Sequence, residues 1–444
     1  MPAASAADRP AGETRRRDHR LFWWGQTASA FGSVFTAIAL PVVAVVYLGA
    51  SPGQMGMISA AAVLPSFLFG LPAGALADRV ARPRHLLMAL DTICALAVAV
   101  VAVGVASHHV TVAWIIGLAA VDGTLSILLE VVYFIHLGQL TDKDGIGVLR
   151  AKLQAGSYAA GVVGRLLAGP TIVILGAWAA LCVDVASYAV SVAALVLMAP
   201  VPPLAHASAR EPIGRVLRGM GSGVHTFLDD PFHRTLLVFL FVPATAGAGV
   251  GTLTSPFLLR VVHVPTTAYG LLFAASGLMG LSGSVLAKRL LRPGQDAYMV
   301  TVASLTAAAV CAVLLPLASG PLPAAAVVAT LGISLPALFG AVANIGISPL
   351  IFTAAREDTV GRTMAFMQVM GATSGLVGAL AGGFLGDWIG IRPAIWVLRG
   401  TVLVTMALCL PPMVRAIRHL RAQSEAPTGS APTPAADPAY ASKP

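Results

Sequence analysis

Apolar stretches of about 20 residues recur along almost the whole chain, and they constrain its fold more than any other feature. A helix of that length crosses a hydrocarbon layer of about 30 Å, because each residue adds about 1.5 Å. Only 11% of the residues are charged, which is too few to cover the surface of a soluble protein of this length. Hydropathy therefore predicts an all-α integral membrane protein whose twelve transmembrane helices occupy residues 21–48, 55–77, 86–107, 110–137, 153–176, 177–199, 235–259, 268–287, 297–319, 323–352, 363–385 and 394–414.

The positive charges are concentrated on one side of these spans. If the N-terminus is cytoplasmic, 24 of the 28 Lys and Arg residues lie in cytoplasmic segments, and the others are Arg165, Arg260, Arg392 and Arg399. Because Lys and Arg accumulate in cytoplasmic loops, we expect both termini in the cytoplasm and the chain in the inner (plasma) membrane of the cell. The same bias accounts for the net charge of +9 without a nucleic-acid partner.

The sequence repeats itself with an offset of 214 residues. Under this shift Gly56 matches Gly270, and three glycines in the fifth span match three in the eleventh. The matched glycines are Gly161, Gly164 and Gly169 in the fifth span and Gly375, Gly378 and Gly383 in the eleventh. Parallel repeats of this kind are typical of transporters whose substrate site lies between the two halves, near the membrane midplane.

The repeat predicts two six-helix halves, at residues 21–199 and 235–414, joined by a charged cytoplasmic linker at 200–234. A cytoplasmic segment at 1–20 precedes the first half, and a tail at 415–444, rich in Ala, Pro, Ser and Thr, is predicted to be disordered. The repeated glycines include small-xxx-small spacing, which lets helix backbones approach closely. Such contacts either allow the halves to rock or simply pack the helices.

A charged motif follows the second span, and it reads Gly74-x-x-x-Asp78-Arg79-x-x-Arg82-x-Arg84. The carboxylate of Asp78 is suited to pair with an Arg or to lie at the N-terminus of a neighbouring helix. Between spans two and three of a twelve-span chain, this motif resembles the signature loop of the major facilitator superfamily (MFS). Two of its positions depart from the general pattern of that family.

The resemblance is closer to the drug- and siderophore-exporting branch, which includes macrolide-efflux-like and enterobactin-exporter-like proteins. It is carried by Trp24-Gly25-Gln26, by residues 184–188, and by Arg356-Glu-Asp-Thr-Val-Gly361-Arg362 before the eleventh span. It implies an MFS fold and a proton-coupled antiporter that exports a drug, antibiotic or siderophore by alternating access. Gly361 and Arg362 would then act with the loop after span two as a conformational switch. An importer or lysophospholipid-type translocator on the same fold, and a non-transporting membrane sensor, are the alternatives.

Ionisable residues within the predicted spans are costly and usually functional; they include Asp122, Glu130, Arg165 and Asp184. Asp122 and Arg165 each lie about 15–20 Å from one end of their helix, near the midplane of consecutive helices, which suggests that they pair. Glu130 belongs to the same polar stripe as Asp122. Either a carboxylate carries the coupled proton, with Arg165 facing the substrate, or Asp122 and Arg165 form a closed structural pair.

Polar residues at helical spacing mark one face of the first helix: Gln26, Ser29, Ser33 and Thr36. This face lines a cavity or forms hydrogen bonds with a neighbouring helix, and Asn344 and Gln368 are further cavity candidates. The sequence lacks nucleotide-binding, hydrolase and zinc-protease motifs, so we expect no enzymatic activity, cofactor or metal site. The expected partners are a small-molecule substrate, a proton and the lipid bilayer, and we expect a monomer.

Overall fold

A computed structural model of the chain describes residues 11–69, 80–200, 231–292, 296–354 and 360–425. The first six long helices are α1 Ala11–Val42, α2 Pro52–Phe69, α3 Pro83–Ala106, α4 Val112–Leu140, α5 Lys143–Leu175 and α6 Ala177–Leu197. The last six are α7 Pro231–Pro256, α8 Thr266–Leu290, α9 Ala297–Cys311, α10 Leu322–Ala354, α11 Val360–Ile389 and α12 Ile391–Glu425. A short helix at Leu314–Leu317 completes the ninth span, and the described ranges contain twelve spans long and apolar enough to cross a membrane. The predicted all-α fold of twelve spans is confirmed.

Consecutive helices run in opposite directions, so every odd-numbered helix begins on the side where α1 begins. We call this the terminal side, because α1 begins and α12 ends on it, and the opposite one the far side. On the far side Gly176 joins α5 to α6 with φ +90°, and Gly390 joins α11 to α12 with φ +89°. Glycine adopts positive φ without steric cost, which explains why both turns use it. The two residues are equivalent under the internal repeat.

The far-side ends of α1 and α7 share an unusual backbone feature, a single π-helical turn. The turns occupy Val43–Tyr47 and Phe257–Val261, which are again 214 residues apart. In each, the N–H of the residue that follows the turn donates to the first carbonyl of the turn, over 3.0 and 2.9 Å. Because π-turns are rare, their coincidence shows that the repeat extends to the backbone hydrogen bonds.

Equivalent helix pairs hold each half together. In the first half α1 packs against α5 and α6, and in the second half α7 packs against α11 and α12. The halves meet where α2 packs against α11 and α5 packs against α8. The largest buried apolar cluster spans both halves, from Phe22 to Ile395, and a smaller one around Phe239 lies within the second half.

Glycines bring the backbones together at both contacts between the halves. A Cβ added at Gly383 of α11 would lie 2.8 Å from the Cα of Gly56 in α2. One added at Gly270 of α8 would lie 3.4 Å from the backbone N of Gly169 in α5, and closer still to a neighbouring carbonyl. Since both glycine pairs are related by the repeat, the α2–α11 and α5–α8 crossings are equivalent, and neither leaves room for a side chain.

Some predicted features fall outside the described residues. These are residues 1–10 of the N-terminal segment, Gly74, Asp78 and Arg79 of the charged motif, most of the 200–234 linker, residues 356–359 before the eleventh span, and the chain after Glu425. Gly361 and Arg362 lie in α11, but their side chains are not among those described. The part of the tail before Glu425 continues α12 as helix.

Candidate functional site

A cavity of about 290 Å³ lies between the two halves, toward the far side. Most of its walls come from α1, α2 and α4 of the first half, and α7 of the second half completes them. Most of the lining is apolar, and the polar side chains in it are Thr36, Ser59, Asp122, Thr252 and Ser255. A mostly apolar cavity with a few convergent polar groups is the usual form of a small-molecule site.

Asp122 is the one charged side chain among the described residues that line this cavity. Asp122 was predicted from the sequence as a site residue, and it lies on the exposed surface of α4, facing this space. Its carboxylate has no hydrogen bond or ion pair with another side chain among the described residues. The predicted Asp122–Arg165 pair is therefore not formed in this conformation.

Arg165 is instead located at the crossing between α5 and α8. Its guanidinium donates to the carbonyl of Gly161, over 3.4 Å, and a Cβ added at Gly277 of α8 would lie 2.9 Å from Nη1. The prediction of a pair with Asp122 failed because α4 and α5 are consecutive in sequence but have few contacts in the fold. Arg165 faces the second half rather than its neighbour in the first.

Asp184 of α6 lies behind the cavity, with 1% of its surface exposed. Its Oδ2 accepts a hydrogen bond of 2.5 Å from Thr36 Oγ1 of α1, and its Oδ1 accepts one of 3.2 Å from Ser187. Gly32 allows this close approach, because a Cβ there would overlap the hydroxyl of Ser187. The Asp184 carboxyl thus holds α1 against α6 through Thr36, and Thr36 is also part of the cavity wall.

A second cavity of about 290 Å³ lies within the first half, nearer the terminal side. Three predicted residues meet in it, Gln26, Ser29 and Glu130, and Arg150 joins them from α5. Asp91 of α3 also lines this cavity, although no role in the site was predicted for it from the sequence. Its position inside the third predicted span was the signal that could have identified it.

Asp91 is 4% exposed, and its Oδ2 accepts a hydrogen bond of 2.7 Å from Ser191 of α6. Together with Asp184 it gives the α1–α3–α6 contact two buried carboxyl groups, and side-chain hydroxyls donate hydrogen bonds to both. Buried polar groups are normally satisfied in this way, and removal of a partner is costly.

The remaining predicted cavity residues are dispersed. The hydroxyl of Ser33 donates to the Ser29 carbonyl one turn earlier, over 3.0 Å. Asn344 of α10 and Gln368 of α11 are exposed, and they line neither of the two cavities. The polar face of α1 is therefore divided between two cavities and the contact with α6.

The predicted packing glycines serve different contacts. Gly164 packs against α1 and Gly378 against α7, so both stabilise a single half, whereas Gly375 packs against α2 of the other half. A Cβ added at Gly161 would lie 3.4 Å from the guanidinium of Arg165, in its own helix, and would contact no neighbouring helix among the described residues.

Two arginines of the predicted switch motif are described. Arg82 precedes α3 without a side-chain capping bond. Arg84 donates to the carbonyls of Val196 and Ala199, over 2.9 and 3.0 Å, and so binds the terminal-side end of α6. A cation at a helix C-terminus satisfies carbonyls that have no partner in the helix.

Polar contacts close the far side between the halves. Arg260 of α7 donates from Nη2 to the carbonyl of Val45, in the π-turn of α1, over 2.7 Å. Ser51 donates to Oδ2 of Asp387, at the end of α11, over 3.1 Å. Both contacts are on the far-side end of the cavity that Asp122 lines.

The sequence profile of the Major Facilitator Superfamily matches residues 22–348. This chain belongs to the Major Facilitator Superfamily. Within the superfamily its fold is similar to that of a variant of the nucleoside transporter NupG, with a TM-score of 0.71 and a sequence identity of 13%. The match covers 90% of this chain and 99% of that one. For a bacterial homologue of the iron transporter ferroportin in an inward-facing state, the TM-score is 0.67 and the sequence identity is 15%, and the match covers 89% of this chain and 98% of that one. For a bacterial homologue of the lysosomal transporter Spinster, the TM-score is 0.58 and the sequence identity is 14%, and the match covers 93% of this chain and 98% of that one.

No curated protein sequence matches this MFS transporter significantly. The structural neighbours carry different substrates, so they establish the fold and not the substrate. Among the described residues no three His, Cys, Asp or Glu side chains are grouped so that they could hold a metal ion.

Proposed function

We propose that this MFS transporter is a proton-coupled exporter of a small amphiphilic molecule. The observation that carries the proposal is Asp122, the charged group of the cavity between the halves, which has no partner among the described side chains. A carboxylate at membrane depth is costly unless it binds a proton or a cation. The predominantly apolar walls around it suit the apolar part of an amphiphile.

The coupling follows from competition at Asp122. When the cavity is open to the terminal side, a cationic or polar substrate displaces the proton from the carboxylate. When the far side opens, a proton replaces the substrate and releases it. One negative group cannot hold both cations tightly, so proton entry and substrate exit are linked.

The direction rests on the charge bias of the sequence. The charge bias puts the terminal side in the cytoplasm. Because the contacts of Arg260 and Asp387 close the opposite side of the protein, the arrangement is inward-facing. Reorientation then requires those contacts to break and the halves to rock about the α2–α11 and α5–α8 crossings.

Transport in inside-out vesicles tests the proposal. An acidic interior is imposed, and labelled cationic, neutral and anionic amphiphiles are added to vesicles that contain the wild type or Asp122→Asn. We expect accumulation of one class in the wild type, its collapse with an uncoupler, and its loss in Asp122→Asn.

Asp142→Asn is the matched control, because it removes a carboxylate that lies on the terminal-side surface and pairs with Arg15. This variant should transport as the wild type does. Full pH-driven transport by Asp122→Asn would exclude Asp122 as the coupling group. Uptake of the compounds by right-side-out vesicles, without accumulation in inside-out ones, would instead indicate an importer.

A further inference from the structure

A groove with a basic rim lies on the terminal side, where α1 extends past the beginning of α5. Its volume is about 1210 Å³, and it shares no lining residue with the two cavities described above. The basic side chains that line it are Arg16, His19 and Arg20 of α1 and Lys152 of α5.

The groove is held open by hydrogen bonds around it. Arg15 forms an ion pair of 2.9 Å with Asp142 and donates from Nε to the carbonyl of Leu140 over 3.1 Å. Trp23 donates from Nε1 to the carbonyl of Lys152 over 3.0 Å. These contacts join the first turns of α1 to the α4–α5 turn and to α5, so both walls of the groove are held by the fold itself.

Among the described side chains, ion pairing leaves most of the positive charge of the rim uncompensated. Asp142 forms an ion pair with Arg15, and neither residue is part of the groove lining. Arg16, Arg20 and Lys152 form no ion pair with any described carboxylate. Several cations around one concave surface create a positive potential that attracts an anion.

The wall below the rim is apolar and continues into the outer surface of the helix bundle. Ala155 and Ala159 line the groove one and two turns below the rim. The next residue at this spacing, Val163, is 47% exposed, as expected of a side chain that faces lipid tails. Trp24 on the adjacent helix is 62% exposed, and aromatic residues of this kind mark the membrane–water interface.

We propose that this groove binds an anionic phospholipid, with its phosphate-bearing headgroup at the basic rim and an acyl chain along Ala155, Ala159 and Val163. The rim matches any phosphate group, but only a lipid uses the apolar wall as well. The groove lies at the perimeter of the bundle and shares no residue with the central cavity, so this inference is independent of the transport function proposed above.

Native mass spectrometry of the full-length protein with added phosphatidylglycerol tests the headgroup assignment. Each basic residue near an anionic lipid contributes about 1 kcal/mol, so the double variant Arg20→Gln/Lys152→Gln should bind the lipid about thirtyfold more weakly. The matched control is Lys288→Gln/Arg289→Gln, which removes two exposed charges at the terminal-side end of α8. This control should bind lipid as the wild type does, and equal loss in both variants would overturn the proposal.

A second variant tests the apolar wall and keeps every charge. Ala159→Phe fills the path of the acyl chain and should reduce lipid binding, whereas Ala303→Phe, at an exposed position of α9, should not. Inorganic phosphate is the competitor that distinguishes a lipid from a soluble ligand. If phosphate displaces the lipid completely and Ala159→Phe has no effect, the groove is a soluble-phosphate site and the lipid assignment is wrong.

Discussion

Replacing Gly383 by Ala should push α2 and α11 apart on the far side. The added Cβ would lie 2.8 Å from Gly56 Cα and 2.8 Å from the carbonyl oxygen of Pro52. Carbon atoms in contact normally lie about 3.5–4.0 Å apart, so the backbones must separate by about 1 Å. Both facing atoms belong to the backbone, and no change of rotamer can relieve the overlap. Overpacking of this kind costs about 1–3 kcal/mol, which would lower the population of the far-closed state about 5- to 150-fold relative to a far-open state.

Pulsed electron paramagnetic resonance measures this shift directly. Spin labels at Ser107 and Ser319, exposed in far-side loops of the two halves, report the distance between the halves. The label sites require prior replacement of the native cysteines Cys94, Cys182, Cys311 and Cys409. We expect a longer distance to gain population in Gly383→Ala.

Gly371→Ala is the matched control, because it adds the same methyl group to α11 at a position where no neighbouring helix of the described structure lies within 4 Å of the new Cβ. Its distance distribution should equal that of the wild type. Gly169→Ala changes the repeat-equivalent crossing, with its Cβ 2.8 Å from the carbonyl oxygens of Thr266 and Thr267, and should act in the same direction as Gly383→Ala. Identical distributions for Gly383→Ala and Gly371→Ala would refute the view that these crossings determine closure.

Three further changes have different expected results. Arg260→Gln removes the donor to the Val45 carbonyl, so it should also favour the far-open state, by about 1.5–3 kcal/mol, and Arg260→Lys should restore part of the effect in the same distance measurement. Thr36→Val leaves the buried carboxyl of Asp184 without one of its donors and should lower stability by about 1–3 kcal/mol in thermal unfolding, whereas Thr36→Ser should not. Arg15→Gln breaks an exposed ion pair and should lower the free energy of unfolding by less than about 1 kcal/mol in the same assay. A larger decrease would show that the first turns of α1 stabilise the protein by more than this ion pair.

The fold was predictable because the membrane restricts it. Every backbone polar group must be satisfied inside the hydrocarbon layer, so apolar stretches of the right length can only be helices. The repeat offset also predicted which glycines are equivalent, and the contacts of Gly56 with α11 and of Gly270 with α5 bear this out. These properties depend on spacing along the chain, which a sequence records directly.

The site was less predictable because it depends on how each helix is rotated and which helix is its neighbour. Asp122 and Arg165 lie at similar depth, yet they face different partners because α4 and α5 have few contacts. Asp184 faces α1 rather than the cavity, and Asp91 pairs with a serine of α6. Hydropathy gives the depth of a charged residue but not its direction around the helix axis.

The paired π-turns limit how the length of this protein can change in evolution. In both halves the same number of residues separates the π-turn from the glycine of the crossing, Gly56 in one and Gly270 in the other. A single inserted or deleted residue between them would rotate α2 or α8 by about 100° and turn its glycine away from the other half. These two far-side hairpins are therefore expected to keep a matched length.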